Sequence, residues 1–276
     1  MFVKIKLLLF FIALIPTCTK DRNFVNDMHM TCGSHYATSD IYFEEDTKLT
    51  FRLRIVYFAD SLNEPEPSYD TFMMKLNTFF SSSDISFKLV SKLKHVDGDI
   101  KTDMPSFNKY HFKHFKNDSF ITMYIFSSYQ PHYAEDLKNV AGTAGGLGSN
   151  FFAIRSSFLN TITPLHEAGH CFSLLHTNTY DESETGYTIY SGDKVCDSRK
   201  VEDYNGLSDM ACNYTGSEEL SDLEKKEIVC NFMSYNYMHC RGCITEGQIK
   251  RMRFYIHESP VIKLAIIKGL NKDIPL

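Results

Sequence analysis

The stretch that decides the fold is residues 163–176, which read TPLHEAGHCFSLLH. His166 and His170 are four residues apart, so on a helix they project from the same face. Two imidazoles in that arrangement can bind one Zn²⁺, each at about 2.0–2.1 Å. Glu167 adjoins the first histidine and can hold a water at the metal without being a ligand. His176 would return a third nitrogen once the chain has left the helix, and the fourth position stays open, as in catalytic zinc sites.

The residues around the histidines favour a helix. Thr163 is a suitable N-cap, and Pro164 fits the first helical position. Apolar residues then recur at helical spacing, at Leu165, Ala168, Phe172 and Leu175. Cys171 adjoins His170, but neighbouring helical residues point about 100° apart, so we expect a buried thiol and not a third ligand.

These residues carry a family resemblance. HEAGHCFSLLH resembles the zinc motif of the metzincin metallopeptidases, and NFMSY at residues 231–235 resembles their Met-turn. Within that group the resemblance is to the pappalysin family. GDKVCD at residues 192–197 is similar to its GDxVxD segment, and TEGQIKRM at residues 245–252, after Cys240, is similar to its TxGQxxRM helix. The resemblance spans about residues 48 to 257.

The resemblance implies an α+β zincin fold of the metzincin type. A twisted mixed sheet backed by helices would form an upper lobe that ends in the zinc helix. An irregular lower lobe, stapled by disulfides, would carry the Met-turn and a C-terminal helix. Met233 would form a hydrophobic floor under the metal, and Tyr235 could donate a hydrogen bond to an oxyanion. Related enzymes often cut before basic residues.

The sequence departs from the family pattern at one position. Ser173 stands where the family has glycine, which lets the helix end sharply, in a left-handed or otherwise strained conformation, before the third histidine. Serine in that conformation would cost on the order of 1 kcal/mol. Zinc binding supplies on the order of 10 kcal/mol, so the departure affects affinity or geometry more than ligation.

Residues 1–17 read as an export signal, with a basic start at Lys4 and Lys6 and an apolar run too short to span a bilayer. Cys18 follows directly and is a candidate lipid anchor, the alternative being simple cleavage nearby. Residues 18–46 are interpreted as a pro-segment in which Cys32 could occupy the open metal position as a cysteine switch. The alternative is a disordered start whose cysteine pairs elsewhere. The catalytic domain would then cover residues 47–276, with an upper lobe at 47–176 and a lower lobe at 177–276.

The upper lobe reads as strands and helices in alternation. Residues 49–59, the segment around Ile85–Leu89 and residues 121–126 have strand patterns, and Ser68 can cap a helix between the first two. The glycine-rich residues 141–150 lack the ending of a phosphate loop, so we expect a flexible approach to an edge strand at residues 150–155. By the resemblance, that edge strand would pair with an extended substrate. His111 and His114 are expected at the surface.

The lower lobe is polar and rich in loops. Its acidic residues, among them Asp181, Asp193 and Asp197, indicate a solvated loop or a site for Ca²⁺ as a second metal. Cysteines concentrate here, at Cys196, Cys212, Cys230, Cys240 and Cys243, which indicates disulfides in an exported chain. Their pairing cannot be deduced from sequence. Thr245 and Gln248 form a capping box for a last helix, which Ser259 and Pro260 should end.

The functional prediction is a secreted or surface-anchored zinc endopeptidase. A zinc-activated water would attack the peptide bond, with Glu167 as general base. The substrate would be a protein or peptide in extended conformation, and we expect a monomer. The net charge of −5 gives no indication of a nucleic-acid partner. The alternative is an inactive surface module that keeps zinc and binds polypeptides, which Ser173 leaves open.

Overall fold

The alternating apolar pattern at residues 49–59 forms a central strand. The computed structural model describes residues 48–59, 61, 63–96, 104–115, 119–127, 141–182, 188–190, 192–195, 197–199, 201 and 206–267. Within these, β1 (Leu49–Ala59) buries Leu49, Phe51, Leu53 and Ile55 as predicted. The predicted export signal, the pro-segment, Cys18 and Cys32 lie outside the described residues.

A five-stranded, mostly parallel sheet forms the framework. Its other strands are β2 (Ile85–Val96), β3 (Ile121–Phe126), β4 (Gly142–Ala144) and β5 (Phe151–Arg155). The order is β2-β1-β3-β5-β4, and only β4 runs antiparallel to its neighbour. A separate hairpin joins β6 (Tyr180–Glu182) to β7 (Thr188–Tyr190).

The predicted edge strand was placed one strand too far along the chain. β5 lies inside the sheet, between β3 and β4, and the edge strand is β4, which comes from the glycine-rich segment. Apolar residues in β5 are buried because neighbouring strands lie on both sides. The three residues of β4, Gly-Thr-Ala, carry no strand pattern, and only their pairing with β5 makes them a strand.

The helices are α1 (Asp70–Phe80), α2 (Met104–Phe115), α3 (Thr163–Cys171), α4 (Asp222–Cys230), α5 (Glu246–Glu258) and α6 (Pro260–Leu264). Helix α1 begins two residues after the predicted cap Ser68, whose Oγ accepts the Asp70 amide at 3.5 Å. The capping box of Thr245 and Gln248 at the start of α5 is confirmed, and the helix ends before Pro260 as predicted. Among the described residues, no helix is long and apolar enough to cross a membrane.

The sheet separates two hydrophobic clusters. The larger one collects alternate residues of β1 together with Phe72 and Leu76 of α1, Leu165 of α3 and Met252 of α5. The smaller one lies on the opposite face of the sheet and is covered by α2. The zinc-motif helix thus packs into the main core, which holds its orientation relative to the sheet.

His111 does not lie at the surface as predicted, although His114 is exposed. The His111 ring stacks on Phe151 at 3.9 Å between centroids, and its Nδ1 shares a hydrogen bond of 2.8 Å with the Tyr124 hydroxyl. The prediction was wrong because α2 covers the second face of the sheet, a contact that the local charge pattern does not show.

Among the described residues, two disulfides link the part of the chain that follows the hairpin. Cys212 pairs with Cys240, and Cys230 pairs with Cys243. The expectation of a disulfide-stapled lower region is therefore confirmed for four of its five cysteines, and Cys196 lies outside the described residues. Cys171 is a buried free thiol, as predicted.

Candidate metal centre

Helix α3 presents two of the predicted ligands. It starts at Thr163, one residue earlier than predicted, and Thr161 Oγ1 accepts the Thr163 amide at 3.2 Å. Pro164 lies in the first turn, where a missing amide hydrogen costs nothing. His166 and His170 follow one turn apart and project from the same face.

The chain reverses direction at Ser173, which brings the third histidine back. Ser173 has a φ of 68°, which is a left-handed conformation. A conformation of this kind was expected because serine stands here in place of the glycine of the family pattern. The Leu174 amide donates to the Gly169 carbonyl at 3.0 Å, and the Ser173 amide donates to the His170 carbonyl at 2.9 Å, which closes the helix end. The predicted sharp end of the helix is confirmed. Serine adopts the positive φ although its Cβ makes that conformation less favourable than it is for glycine.

The three predicted imidazoles converge on one point. His176 Nε2 lies 3.0 Å from His166 Nε2 and 2.9 Å from His170 Nε2. Nitrogens around a tetrahedral zinc are about 3.3 Å apart, so outward shifts of a few tenths of an ångström would admit the ion. Such a group of three is a candidate metal site.

Backbone carbonyls hold two of the rings in the orientation that metal binding needs. His166 Nδ1 donates to the Phe232 carbonyl at 2.7 Å, and His170 Nδ1 donates to the Leu174 carbonyl at 2.7 Å. These bonds leave both Nε2 atoms unprotonated and aimed at the centre. The outer nitrogens of metal-binding histidines are typically held in this way.

Burial keeps the three histidines neutral. It lowers the pKa of His166 well below its usual value, and the neighbouring His170 and His176 and the Arg241 charge lower it further, because each disfavours a second positive charge. Burial likewise lowers the pKa of His170, and it lowers that of His176 to about 3. Neutral imidazole is the form that binds a metal, so no proton has to be removed near neutral pH.

Glu167 is buried beside the histidines, against the edge strand. Burial raises its pKa to about 8, against the opposing effects of the Arg241 charge and a hydrogen bond from the Ala144 backbone amide. A Cβ at Gly142 would lie 2.8 Å from Thr163 Cγ2 and 2.9 Å from Glu167 Cγ, so the close approach of β4 to α3 requires glycine there. A bound cation would favour the ionised carboxylate.

The predicted Met-turn packs under the helix. A Cβ at Gly169 would lie 2.8 Å from Met233 Sδ and 3.0 Å from Phe232 Cε2, so this segment is in direct contact with α3 between the two histidines. Met233 is fully buried, and its amide donates to Asn231 Oδ1 at 2.9 Å. Met233 therefore lies against α3 between the two histidines, and its role as a floor under the metal stays a prediction.

Tyr235 lies on the outer side of the third histidine. Its hydroxyl is 3.2 Å from His176 Nδ1, and both residues line an open cavity of about 720 Å³. With His176 Nε2 directed to the centre, Nδ1 carries the proton and donates to the phenol oxygen. Tyr235 thus holds the ring that bonds to no backbone carbonyl of the described residues.

Arg241 also lines this cavity, and the sequence reasoning missed it. It lies between Cys240 and Cys243, which the two disulfides fix close to the Met-turn. Its guanidinium donates to the Ser234 carbonyl at 2.9 Å. The cysteine spacing around it was the one available signal, and that spacing does not show which way the arginine points.

The segments that carry the family resemblance outside the zinc motif contact one another. Asp193 accepts hydrogen bonds from Ser198 and, at 2.8 Å, from Gln248 Nε2. Asp197 accepts from Thr245 Oγ1 and from the Gly247 amide, both at 2.7 Å. Both carboxylates therefore serve to anchor α5. The Asp181 side chain is not among those described, and Ca²⁺ binding stays a prediction.

Comparison with known proteins gives weak likenesses only. No protein-family model matches the sequence, and no curated protein matches it. Metalloproteinase-II from Bacteroides fragilis aligns over 55% of this chain and 50% of its own, with 17% identity and a TM-score of 0.33. A structure described as a chaperone-substrate complex aligns over 54% of this chain and 32% of its own, with 12% identity and a TM-score of 0.34. This chain thus spans half or less of the length of these two neighbours, and scores at this level carry no functional argument.

Proposed function

We propose that the protein is a zinc-dependent endopeptidase of the metzincin type, resembling the pappalysins. The observation that carries this proposal is the convergence of three neutral histidine Nε2 atoms beside a buried glutamate in an open cavity. The lobes would be residues 47–176 and 177–276, meeting after His176.

The donor set fits zinc. Three imidazoles with outer nitrogens bonded to carbonyls or a phenol suit Zn²⁺, although Cu²⁺, Ni²⁺ and Fe²⁺ also accept imidazole. His166, His170 and His176 would hold the ion and leave one position facing the cavity. Among the described residues, the donors that converge there include neither a thiolate nor a carboxylate, as expected for a catalytic site with three histidines.

Glu167 would move the proton during cleavage. When bound, Zn²⁺ supplies a Lewis acid that polarises the scissile carbonyl and acidifies water. Glu167 lies one residue from His166, inside the same cavity, and would take a proton from the attacking water and transfer it to the leaving amine. Tyr235 would be positioned to donate to the developing oxyanion, while also holding His176.

The edge strand β4 would orient the substrate. Residues 142–144 form the edge of the sheet and also line the cavity that contains the histidines. An extended peptide lying along this strand would have its scissile bond close to Glu167. This strand takes the role that the sequence reasoning gave to residues 150–155.

Several further parts of the proposal rest on the sequence alone. The enzyme would be exported by residues 1–17 and would be secreted or anchored through Cys18, as a monomer. Cys32 in the pro-segment would block the open metal position until the segment is removed. Loop carboxylates would bind Ca²⁺ as a second metal.

One observation favours the second candidate, an inactive zinc-retaining module that binds polypeptides. Ser173 adopts a φ of 68° between His170 and His176, and the strain of a non-glycine residue there works against a rigid metal geometry. Such a module would keep the metal and the groove but not cleave.

Cleavage of a mixed peptide library, with and without a chelator, tests the proposal. The full chain would be purified, the pro-segment removed, and products identified by mass spectrometry. We expect chelator-sensitive cleavage, abolished in Glu167→Ala with the zinc retained, and loss of both zinc and cleavage in His170→Ala. His257→Ala, at an exposed histidine, is the matched control. Bound zinc without cleavage would support the module, and cleavage by Glu167→Ala would remove the assigned base.

A further inference from the structure

Arg241 places a positive charge in the cavity, and several of its N–H groups have no acceptor among the described residues. One guanidinium nitrogen donates to the Ser234 carbonyl at 2.9 Å, and the Nε–H is buried without a hydrogen-bond partner. Within the described part of the chain, no carboxylate lies within salt-bridge distance of it. Apart from that bond, the terminal nitrogens of Arg241 donate to none of the described residues, so a ligand carboxylate in the cavity could accept hydrogen bonds from them.

The surroundings make this charge effective. Burial lowers the pKa of Arg241 only to about 10, so it stays protonated at neutral pH. Its charge acts on Glu167, His166 and His176, which places it close to the proposed site of cleavage. Half of the other lining residues come from the uncharged segment 141–147. Arg241 is therefore the fixed positive charge among the described residues that line the cavity.

We propose that Arg241 selects substrates that carry a carboxylate next to the scissile bond. This inference rests on the proposed peptidase function. The carboxylate would come from an acidic side chain or from the free C-terminus of the peptide, since the guanidinium fork binds either in the same way. Lysine or arginine at that position would be repelled, so the preference is opposite to the one that the family resemblance implies.

A direct role of Arg241 at the oxyanion is the rival interpretation. Its removal would then lower the cleavage rate of every peptide by a similar factor, whatever the charge of the side chains. Recognition of a carboxylate instead lowers cleavage of acidic peptides selectively. Binding measured without cleavage separates the two roles further, because an oxyanion forms only during the reaction.

The experiment uses peptides of one sequence with Glu, Gln or Lys at each position flanking the cleaved bond. Binding of each peptide to zinc-loaded Glu167→Ala is measured by fluorescence anisotropy. Cleavage of each peptide is measured with the chain that keeps Glu167. We expect the Glu peptide to bind and be cleaved about 10-fold better than the Gln peptide, as for a charge-assisted hydrogen bond. Gln peptides that end in a free or an amidated carboxyl next to the bond distinguish the two sources of the carboxylate.

Variants of Arg241 give the decisive comparison. Arg241→Gln should remove the preference for Glu, Arg241→Lys should keep part of it, and Arg241→Glu should shift it towards Lys. Arg52→Gln, which removes a charge outside the cavity, should leave the preference unchanged. Thermal unfolding and zinc content establish that each variant is folded.

Each outcome decides one of the two proposals. Equal binding of the Glu, Gln and Lys peptides, or no binding of any, overturns the assignment of Arg241. Cleavage without charge preference overturns it too and leaves the peptidase proposal standing. Selective binding of Glu peptides without cleavage of any peptide supports Arg241 and removes the peptidase proposal.

Discussion

The Nε of Arg251 donates to the main-chain carbonyl of Ser173 at 3.1 Å, across 78 residues of sequence. Arg251 belongs to α5, whereas Ser173 is the left-handed residue at which the chain leaves the zinc-motif helix. Helix α5 therefore holds the reversal that returns His176 to the other two histidines. The TxGQxxRM pattern has a physical role here, because its arginine fixes the position of the third candidate ligand.

Replacing Ser173 by glycine should stabilise the protein. A non-glycine residue at a φ of 68° costs on the order of 1 kcal/mol, and glycine relieves that cost without altering the contact of its carbonyl with Arg251. We expect Ser173→Gly to exceed Ser173→Ala by about 1 kcal/mol in the free energy of unfolding. Chemical denaturation of both variants measures the difference, and a less stable glycine variant would show that this residue is not strained.

Replacing Gly169 by alanine should destabilise the protein. Alanine favours helices by about 1 kcal/mol over glycine, but its Cβ would lie 2.8 Å from Met233 Sδ. Overpacking of a core contact costs about 1–3 kcal/mol, so the net effect should be a loss of about 1 kcal/mol. Because His170 is the next residue, zinc affinity should fall as well. Gly242→Ala, where a Cβ would meet nothing within 4 Å, is the matched control. Equal stability of the two variants would contradict the close packing of the Met-turn on α3.

Features set by local spacing were predictable from the sequence. The four-residue spacing of His166 and His170 fixes their common face, and the capping box of Thr245 and Gln248 fixes the start of α5. In these cases the information lies within a few neighbouring residues. The left-handed conformation of Ser173 was expected only through the family resemblance, whose pattern has glycine at this position.

Features set by contacts between distant segments were not predictable. β4 is a strand only because β5 pairs with it, and its three residues carry no pattern of their own. His111 is buried because α2 covers the second face of the sheet. Arg241 reaches the cavity because disulfides fix its loop beside the Met-turn, and the pairing of those cysteines depends on the folded chain.

Replacing Tyr235 by phenylalanine should weaken zinc binding. His176 Nδ1 lies 3.2 Å from the Tyr235 hydroxyl, which this substitution removes. The other two histidines donate to backbone carbonyls, which a side-chain substitution leaves in place. Loss of such an outer contact typically lowers metal affinity about 10-fold or more. Competition with a chromogenic chelator measures this affinity. An unchanged affinity with a lower kcat would assign the phenol to the oxyanion alone.

Asp193 should make the stability of the protein fall as the pH rises. Burial raises its pKa to about 6 from the usual value of 3.8, against hydrogen bonds from Ser198, Gln248 and the Val195 amide. The folded state then keeps the proton at pH values where the unfolded chain has lost it. The stability linked to this proton is fully present below about pH 4 and is lost as the pH rises through about 6.

The comparison of wild type with Asp193→Asn isolates this effect. The buried histidines have lowered pKa values and give the opposite slope, but they are common to both proteins and cancel in the difference. We expect the stability of wild type relative to Asp193→Asn to fall by on the order of 3 kcal/mol between pH 4 and pH 7. Urea unfolding in the presence of a chelator measures it, with Asp222→Asn at an exposed site as control. A difference that stays constant with pH would mean that the Asp193 carboxylate is ionised throughout and is stabilised by its three hydrogen-bond donors. Adding Ca²⁺ would then test whether a cation also binds this carboxylate, because the cation should stabilise wild type and leave Asp193→Asn unchanged.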